Sequence, residues 1–174
     1  MADESLESLF KRLLAGHGGA VLKVARAYTL TAEDGRDLAQ EILLQVWRSL
    51  PRFEGRADAA TWMYRVALNT AIGWKRKERR REAGRSFVLP VEEVSCGGAD
   101  AGEQAARREA VERLYGAIRR LNKADAALVL LSLDGLSYRQ MAEVLGISES
   151  HVGVKLNRAR KVLGELMGED GRES

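Results

Sequence analysis

Residues 135–152 have the sequence GLSYRQMAEVLGISESHV, a pattern that predicts two helices joined by a tight turn. Ser137 precedes the first helix, and Gln140 follows three positions later, as in a capping box. Gly146 supplies the positive φ that a sharp helix end requires. Ser148 is then placed to cap the second helix. The stretch therefore predicts a helix-turn-helix.

Each helix of this motif has one apolar face at helical spacing. The apolar positions are Met141, Ala142 and Leu145 in the first helix and Val152, Leu156, Ala159 and Leu163 in the second. The outward face of the second helix is polar and basic, as expected for a helix that enters the DNA major groove. It carries His151, Lys155, Asn157, Arg158, Arg160 and Lys161. A helical hairpin that binds nothing is the alternative, and the coincidence of cap, glycine and basic face disfavours it.

The composition favours an all-α protein. A chain of 174 residues holds one domain or two small ones, and a hydrophobic content of 45% is ordinary for a folded protein. The only prolines are Pro51 and Pro90, and long stretches lack the alternation typical of strands. We therefore expect two small helical domains.

The net charge of +3 is spread unevenly along the chain. Residues 1–82 contain 15 Lys and Arg against 11 Asp and Glu, and residues 106–167 contain 11 against 7. The intervening residues 83–105 contain 1 against 4. Two basic blocks separated by an acidic segment suit a polyanion such as nucleic acid. A charge that serves solubility alone is the alternative.

Metal, cofactor and membrane signals are weak. Cys96 is the single cysteine, which excludes an internal disulfide and a cysteine-based zinc site. His17 and His151 are isolated from each other, so we expect no metal and no cofactor. The N-terminal residues lack the basic and apolar regions of a signal peptide, and no apolar run approaches the ~20 residues of a membrane span. We expect a cytoplasmic protein without membrane insertion.

Apolar periodicity and helix-stop signals divide the first 82 residues into four predicted helices. The first begins near Leu6 and ends at a glycine cluster, and the second covers Val21–Tyr28. Thr31 is placed to cap a third helix that Pro51 stops, and Asp58 a fourth. The glycines expected to end the first helix are Gly16, Gly18 and Gly19, and the fourth helix is expected to end near Arg81.

The composition of the chain changes after residue 82. Residues 83–105 are rich in glycine and acids without a periodic apolar face, which indicates a flexible linker. Further helices follow around Val111–Leu121 and Ala126–Leu133, ahead of the helix-turn-helix. The predicted organisation is thus a domain at 1–82, a linker at 83–105, a second domain at 106–168 and a polar tail at 169–174.

Several segments in this order resemble the extracytoplasmic-function (ECF, group IV) sigma factors of the sigma-70 family. The segments are DLAQEI at 37–42, a Phe-Gly loop at 53–58, TWMYRVALN at 61–69, WKRKERRR at 74–81 and SYRQMAEVLGIS at 137–148. The resemblance implies an alternative sigma factor that binds core RNA polymerase and promoter DNA. Residues 1–82 would be sigma region 2, which binds the polymerase clamp and the −10 element. Residues 106–168 would be sigma region 4, which binds the −35 element and the flap.

The resemblance also implies roles for particular residues in the first domain. Asp37, Gln40 and Glu41 would bind core polymerase, although a solvated helix face is the alternative. The loop that captures a flipped −10 base and the helix after it would contact −10 DNA. The residues concerned are Phe53, Arg56, Trp62, Tyr64, Arg65 and Asn69, followed by the basic residues Lys75, Arg76, Arg79 and Arg80. Two alternatives stay open, namely a core position for Trp62 and a solvated end for the basic helix.

In the second domain the resemblance implies contacts with the −35 element. They involve Arg139, Ser148, Glu149, Ser150, His151, Lys155, Arg158 and Arg160. The chain departs from the family pattern at Ala59, where an aromatic residue is common, and at Gly153, where a lysine is common. The −35 sequence therefore cannot be taken from relatives. Members of the family are often held inactive by an anti-sigma factor, so such a partner is expected.

Two other functions remain to be compared with the sigma factor. A stand-alone dimeric helix-turn-helix regulator would explain only the C-terminal half and leaves the segments at 37–42 and 61–69 without a role. An enzyme acting on nucleic acid would need a carboxylate cluster, a nucleophile with its base or a phosphate-binding loop, and the sequence shows none of these. The sigma factor accounts for both halves.

Overall fold

The computed structural model describes residues 5–82 and 101–170, and within these ranges it is built from helices without strands. The predicted all-α class is confirmed. Cys96, Pro90 and the rest of residues 83–100 lie outside the described residues, as do 1–4 and 171–174. The helices are α1 (Leu6–Tyr28), α2 (Ala32–Ser49), a 3-10 turn (Leu50–Arg52), α3 (Ala59–Glu82), α4 (Ala101–Arg120), α5 (Lys123–Leu133), α6 (Tyr138–Leu145) and α7 (Glu149–Asp170).

Helices α1, α2 and α3 pack together as an N-terminal bundle. Leu38, Ile42 and Val46 of α2 recur every four residues and are fully buried in it. The predicted caps are confirmed. The Thr31 hydroxyl accepts a hydrogen bond from the amide of Asp34 at 3.1 Å, and the Asp58 carboxylate accepts one from the amide of Thr61 at 3.3 Å.

Helix α1 corrects the prediction of two separate helices. It runs without a break from Leu6 to Tyr28, straight through the three glycines expected to end it. A glycine inside a helix costs only about 1 kcal/mol relative to alanine, because it still donates and accepts the backbone hydrogen bonds. Leu13, Val21 and Val24 lie on both sides of the glycines and are buried in the same core. Their burial in one core holds the two halves in a single helix.

Helices α4 to α7 form the C-terminal domain. Helix α4 begins at Ala101, so residues 101–105, which the sequence assigned to the linker, are helical. The reason is local, because strong helix formers follow Gly102 and Glu103 stands favourably in the first turn. Helix α5 is apolar on nearly every side and is buried from Asp125 to Leu131. It forms the centre of the domain.

The predicted helix-turn-helix is confirmed as α6 and α7. The Ser137 hydroxyl accepts from the amide of Gln140 at 3.2 Å, and the Gln140 side chain accepts from the amide of Ser137 at 2.8 Å. Gly146 ends α6 with a φ of 66°. Of the predicted inward residues of α7, Val152, Leu156 and Ala159 are completely buried and Leu163 is half-buried. Local capping and a three-residue core stripe therefore hold the motif in place.

The two domains lie against each other. Helices α1 and α3 of the N-terminal bundle contact α4, α5 and α6. The Tyr28 hydroxyl donates to the carbonyl of Lys123 at 2.9 Å across this boundary. In the described part of the chain, no helix combines the length and the apolar character that crossing a membrane requires.

Candidate nucleic-acid interface

The outward face of α7 is the first candidate surface. The side chains of Ser150, His151, Lys155 and Arg158 are exposed. The Ser148 hydroxyl accepts from the amide of His151 at 3.4 Å and contacts the Ser150 hydroxyl at 3.0 Å, so it occupies the predicted capping position. This face therefore presents hydroxyls and cations to solvent, as recognition of a polyanion requires.

Two of the arginines assigned to this surface have partners within their own domain. The Arg160 guanidinium donates to the Ser132 hydroxyl of α5 at 2.6 Å, which turns it away from the outward face of α7. Arg160 is still exposed, so its contact with the −35 element stays a prediction. Arg139 lies 3.5 Å from the carboxylate of Glu143 in an exposed i,i+4 pair. Such pairs are weak, so Arg139 stays available to an anion.

Gly153 has a structural role that the sequence did not reveal. The ring of Tyr138 on α6 lies 3.4 Å from the point where a Cβ of residue 153 would stand. The tyrosine ring therefore covers the side of α7 from which a lysine at position 153 would project. Val154, the next residue, is 71% exposed and was not among the predicted site residues. Its position opposite the buried stripe of α7 is the signal that identifies it.

Helix α2 carries a second candidate surface. Asp37 and Gln40 are exposed, and Glu41 is half-buried with its carboxylate accepting from the Gln45 amide nitrogen at 2.8 Å. Leu44 and Trp47 continue this face one and two turns beyond Gln40, and they are 41% and 42% exposed.

Trp47 was not among the predicted site residues. Its ring is held edge-on against Phe10 with 5.2 Å between ring centroids. An exposed tryptophan is typical of the centre of a protein interface, and the acid and amide groups beside it suit a polar rim.

The loop before α3 carries the third candidate surface. The Phe53 ring packs on Trp62 with centroids 4.7 Å apart, and both are half-buried. Gly55 is exposed and has a φ of 68°, a left-handed conformation that glycine adopts without strain. Arg56 is exposed and pairs with Glu54 at 2.7 Å. The alternative of a core position for Trp62 is therefore partly correct, because its half-buried ring packs on the core and also contacts Phe53 of the loop.

Tyr64 lies where a nucleic acid cannot reach it in this arrangement. It is 2% exposed, and its hydroxyl donates to the carboxylate of Asp134 in the C-terminal domain. Burial, and then this hydrogen bond, raise the pKa of Tyr64 well above its ordinary value, so the hydroxyl stays a neutral donor. The expectation of a DNA-facing Tyr64 is corrected here, because its side chain points from α3 toward the other domain.

Arg65 and Asp58, beside Tyr64, also bind the C-terminal domain. The Arg65 guanidinium donates to the carbonyl of Glu143, and the Gln140 amide nitrogen donates to the Asp58 carboxylate at 3.3 Å. Asn69 is exposed. The side chains of Lys75, Arg76, Arg79 and Arg80 lie outside the described residues, although the backbone of α3 continues through them to Glu82.

The two halves of the chain each match a known family. Residues 13–81 match Sigma-70 region 2, and residues 111–163 match Sigma-70 region 4. The ECF RNA polymerase sigma factor SigX of Bacillus subtilis is 33% identical over 135 residues, covering 75% of this chain and 69% of SigX. The RNA polymerase sigma factor CnrH of Cupriavidus metallidurans is 28% identical over 174 residues, covering 94% and 89%.

Solved structures show the same architecture. The structure of CnrH in complex with the cytosolic domain of CnrY is matched with a TM-score of 0.66 at 25% identity, over 92% of this chain and 88% of that one. The sigma factor RpoE of Bartonella quintana, solved with the anti-sigma factor NepR, is matched with a TM-score of 0.70 at 20% identity, over 91% and 96%. The second likeness concerns the fold alone.

These findings define the class of protein as a sigma factor of the sigma-70 family. More particularly, the chain belongs to the ECF sigma factors, and it is an alternative sigma factor that acts in transcription initiation. Regions 2 and 4 occur in family order and cover both domains. The stand-alone regulator, which explains only α4 to α7, leaves the region 2 match unexplained.

Proposed function

We propose that the exposed face of α2 binds the clamp of core RNA polymerase. Asp37, Gln40 and Glu41 supply charged and amide groups that pair with basic side chains of a partner. Leu44 and Trp47 supply the apolar centre, because an exposed tryptophan gains most from being covered. The supporting observation is that these five side chains follow one another along one face of α2, with Glu41 half-buried and the other four exposed.

The loop at residues 53–58 and helix α3 bind the melted −10 element in this proposal. Phe53 and Trp62 offer ring surface for an unstacked base, since base–aromatic stacking suits single strands. Arg56 and Asn69 are exposed beside them for the backbone, and Arg65 joins them once its guanidinium leaves the carbonyl of Glu143. The basic end of α3 adds phosphate contacts that position the strand. Ala59 contributes no ring, so base capture depends on the Phe53–Trp62 pair.

Helix α7 enters the major groove of the −35 element in this proposal. The observation that carries it is the exposed basic face of α7 over a completely buried Val152, Leu156 and Ala159 stripe. Glu149 at the helix start accepts from cytosine N4, and Lys155 and Arg158 reach guanine or phosphate. The protein acts by differential binding and performs no catalysis. It works with core polymerase in the cytoplasm.

An anti-sigma factor is the expected regulator. The structure of the relative CnrH contains the cytosolic domain of CnrY. A protein of similar kind that holds α2 and α7 away from polymerase and promoter would keep this chain inactive. The flap of core polymerase is the corresponding partner of the C-terminal domain in the active state.

Run-off transcription tests the function as a whole. Purified core RNA polymerase is assayed on genomic fragments with and without the protein. We expect defined transcripts that depend on the protein, and their start sites locate both promoter elements. Core binding and folding without any transcript from the whole set of fragments would contradict recognition of both elements.

A core-binding titration tests the α2 surface separately. Glu41→Arg and Trp47→Ala are expected to weaken core binding at least tenfold, since each removes a central interface contact of about 1.4 kcal/mol or more. Gln40→Ala is expected to have a smaller effect. Glu165→Ala, an exposed acid on α7, is the matched control. Unchanged affinity of all three variants would contradict the assignment.

A further inference from the structure

Val154 occupies the outermost position of the recognition helix. It stands two residues from both Val152 and Leu156, which places it about 200° around the helix from each of these buried residues. At 71% exposure it is the most exposed large apolar side chain in residues 101–170 of the described structure. A valine there stabilises neither the fold nor the helix, because it is unburied and β-branched. Its apolar surface is available to a ligand.

The neighbours of Val154 identify the ligand as duplex DNA. Ser150 and His151 lie one turn before it, Asn157 and Arg158 one turn after it, and all four are exposed. An apolar centre within a polar, cationic rim matches the major groove, where the thymine C5-methyl is the apolar group among polar base edges. A protein partner would favour a larger apolar area than one valine offers.

We propose that Val154 reads the C5-methyl group of a thymine in the −35 element. The inference rests on the proposed docking of α7 in the major groove and names the residue that determines specificity there. Gly153 assists, because it carries no side chain beside Val154 and because Tyr138 covers that side of the helix. The Val154 side chain can therefore reach the base edges, because no longer side chain at position 153 stands beside it. One methyl contact corresponds to about fourfold in affinity.

Deoxyuridine substitution tests this contact directly, because it removes only the C5-methyl group. Each thymine on both strands of the −35 element, mapped by run-off transcription, is replaced in turn. Binding of the fragments to holoenzyme is then measured with wild-type and Val154→Ala protein. We expect one position at which wild type loses about fourfold in affinity. Val154→Ala should lose a similar factor on the thymine duplex and nothing further on the uracil duplex.

Two further variants complete the test. Val154→Thr keeps one γ-methyl group and is expected to restore part of the sensitivity to uracil. Met167→Ala, an exposed apolar change more than three turns along the same helix, should behave as wild type. The inference is overturned if no position responds in wild type, or if the response persists in Val154→Ala. Binding that is indifferent to the whole −35 sequence would instead contradict the proposed docking of α7.

A second inference rests on the contacts between the domains. The Asp134 carboxylate accepts hydrogen bonds from both Lys23 of α1 and Tyr64 of α3. It stands at the end of α5, immediately before Gly135, whose φ of 75° starts the connection to α6. Asp134 thus joins the base of the helix-turn-helix to two helices of the N-terminal bundle. Nearby, Arg26 pairs with Glu112 and its guanidinium lies 4.5 Å from the Tyr115 ring centre.

The geometry points to Asp134 as a latch that keeps the free protein closed and shields the −10 surface. In the closed state Tyr64 is buried, while Arg65 and Asp58 are engaged by α6. These groups cannot bind a melted strand until the domains separate. The inference rests on the proposed −10 surface. In this inference, polymerase separates the domains by binding α2 and the C-terminal domain at two different sites, the clamp and the flap proposed above.

Asp134→Ala tests the latch in the full-length protein. Cys96 is replaced by serine, and labels at Glu33→Cys and Glu165→Cys report the distance between the domains. We expect a longer distance in Asp134→Ala and at least about threefold tighter binding of a single-stranded −10 oligonucleotide, because the change removes the ion pair with Lys23 and the part-buried hydrogen bond from Tyr64. Glu109→Ala, an exposed acid on α4, is the matched control.

Each outcome of the latch experiment is decisive. An unchanged distance overturns the latch, and a longer distance with unchanged affinity overturns the shielding. In holoenzyme, wild type and Asp134→Ala should bind the oligonucleotide equally, since the polymerase already separates the domains. Failure of both to bind it there contradicts the proposed −10 surface and the shielding with it.

Discussion

The two candidate promoter surfaces differ in how far the folded chain already uses them. On α7, Lys155 and Arg158 have no hydrogen-bond or ion-pair partner among the described residues and stand in solvent. On α3, Tyr64 and Arg65 are bonded to the C-terminal domain. The surface for duplex DNA is thus accessible, whereas the surface for melted DNA is partly covered.

The difference follows from the chemistry of the two surfaces. Aromatic and hydrogen-bonding groups that suit an unstacked base also suit a neighbouring domain, because both offer apolar area and polar edges. Isolated cations lose hydration when they are covered without a partner, so they stay exposed until phosphate replaces the water. A surface for single strands is therefore more easily occupied by the protein itself.

The largest expected effect is a loss of stability when the core beneath the exposed surface of α7 is truncated. Leu156→Ala leaves a cavity in the completely buried stripe of α7 and should cost about 2–5 kcal/mol of stability. All three tryptophans, Trp47, Trp62 and Trp74, lie in the N-terminal bundle. Urea unfolding followed by circular dichroism should shift more than unfolding followed by tryptophan fluorescence. Equal shifts by both probes would show that the domains unfold as one unit and would weaken the contrast.

The next largest effect is on −35 affinity, and it distinguishes an arginine without a partner from one that is already hydrogen-bonded. Arg158→Ala should reduce −35 binding by about 1–3 kcal/mol, because it removes a direct base or phosphate contact. Arg160→Ala should change binding much less, since Arg160 already donates to Ser132. Binding of a −35 duplex by holoenzyme at several salt concentrations measures both. A larger loss for Arg160→Ala would mean that its bond to Ser132 is exchanged for DNA.

A stabilising change should leave the exposed surface functional. Gly153→Ala adds a Cβ at 3.4 Å from the Tyr138 ring, an ordinary contact, and improves helix propensity. The free energy of unfolding should rise by about 1 kcal/mol. Urea denaturation measures the gain, and −35 binding should change little, because the added methyl group is shorter than the side chain of Val154. Destabilisation would show that Tyr138 has no room beside the added methyl group.

The smallest change in stability is expected on the α3 surface, which the C-terminal domain partly covers. Arg65→Ala removes an exposed hydrogen bond to the Glu143 carbonyl, so stability should fall by less than about 0.5 kcal/mol. In holoenzyme the affinity for a −10 strand should fall about threefold. The variant lacks the guanidinium that, once released from the Glu143 carbonyl, would contact the DNA backbone. A loss of stability without a loss of strand affinity would make Arg65 a domain contact alone.

The sequence by itself determined the local architecture. The caps at Thr31, Asp58 and Ser137 and the left-handed Gly146 all stand where the residue pattern predicts them. Each depends on interactions within three or four residues along the chain, and such interactions are encoded by neighbouring residue types. The order of the motifs indicated the family for the same reason.

Only the tertiary structure decided which side chains each domain leaves available. It joined two predicted helices across the α1 glycines, buried Tyr64 against Asp134 and turned Arg160 toward Ser132. It also exposed Trp47 and Val154, apolar residues that the pattern did not assign to a surface. These outcomes depend on which helix faces which, and contacts between residues far apart in the chain leave no local pattern to read.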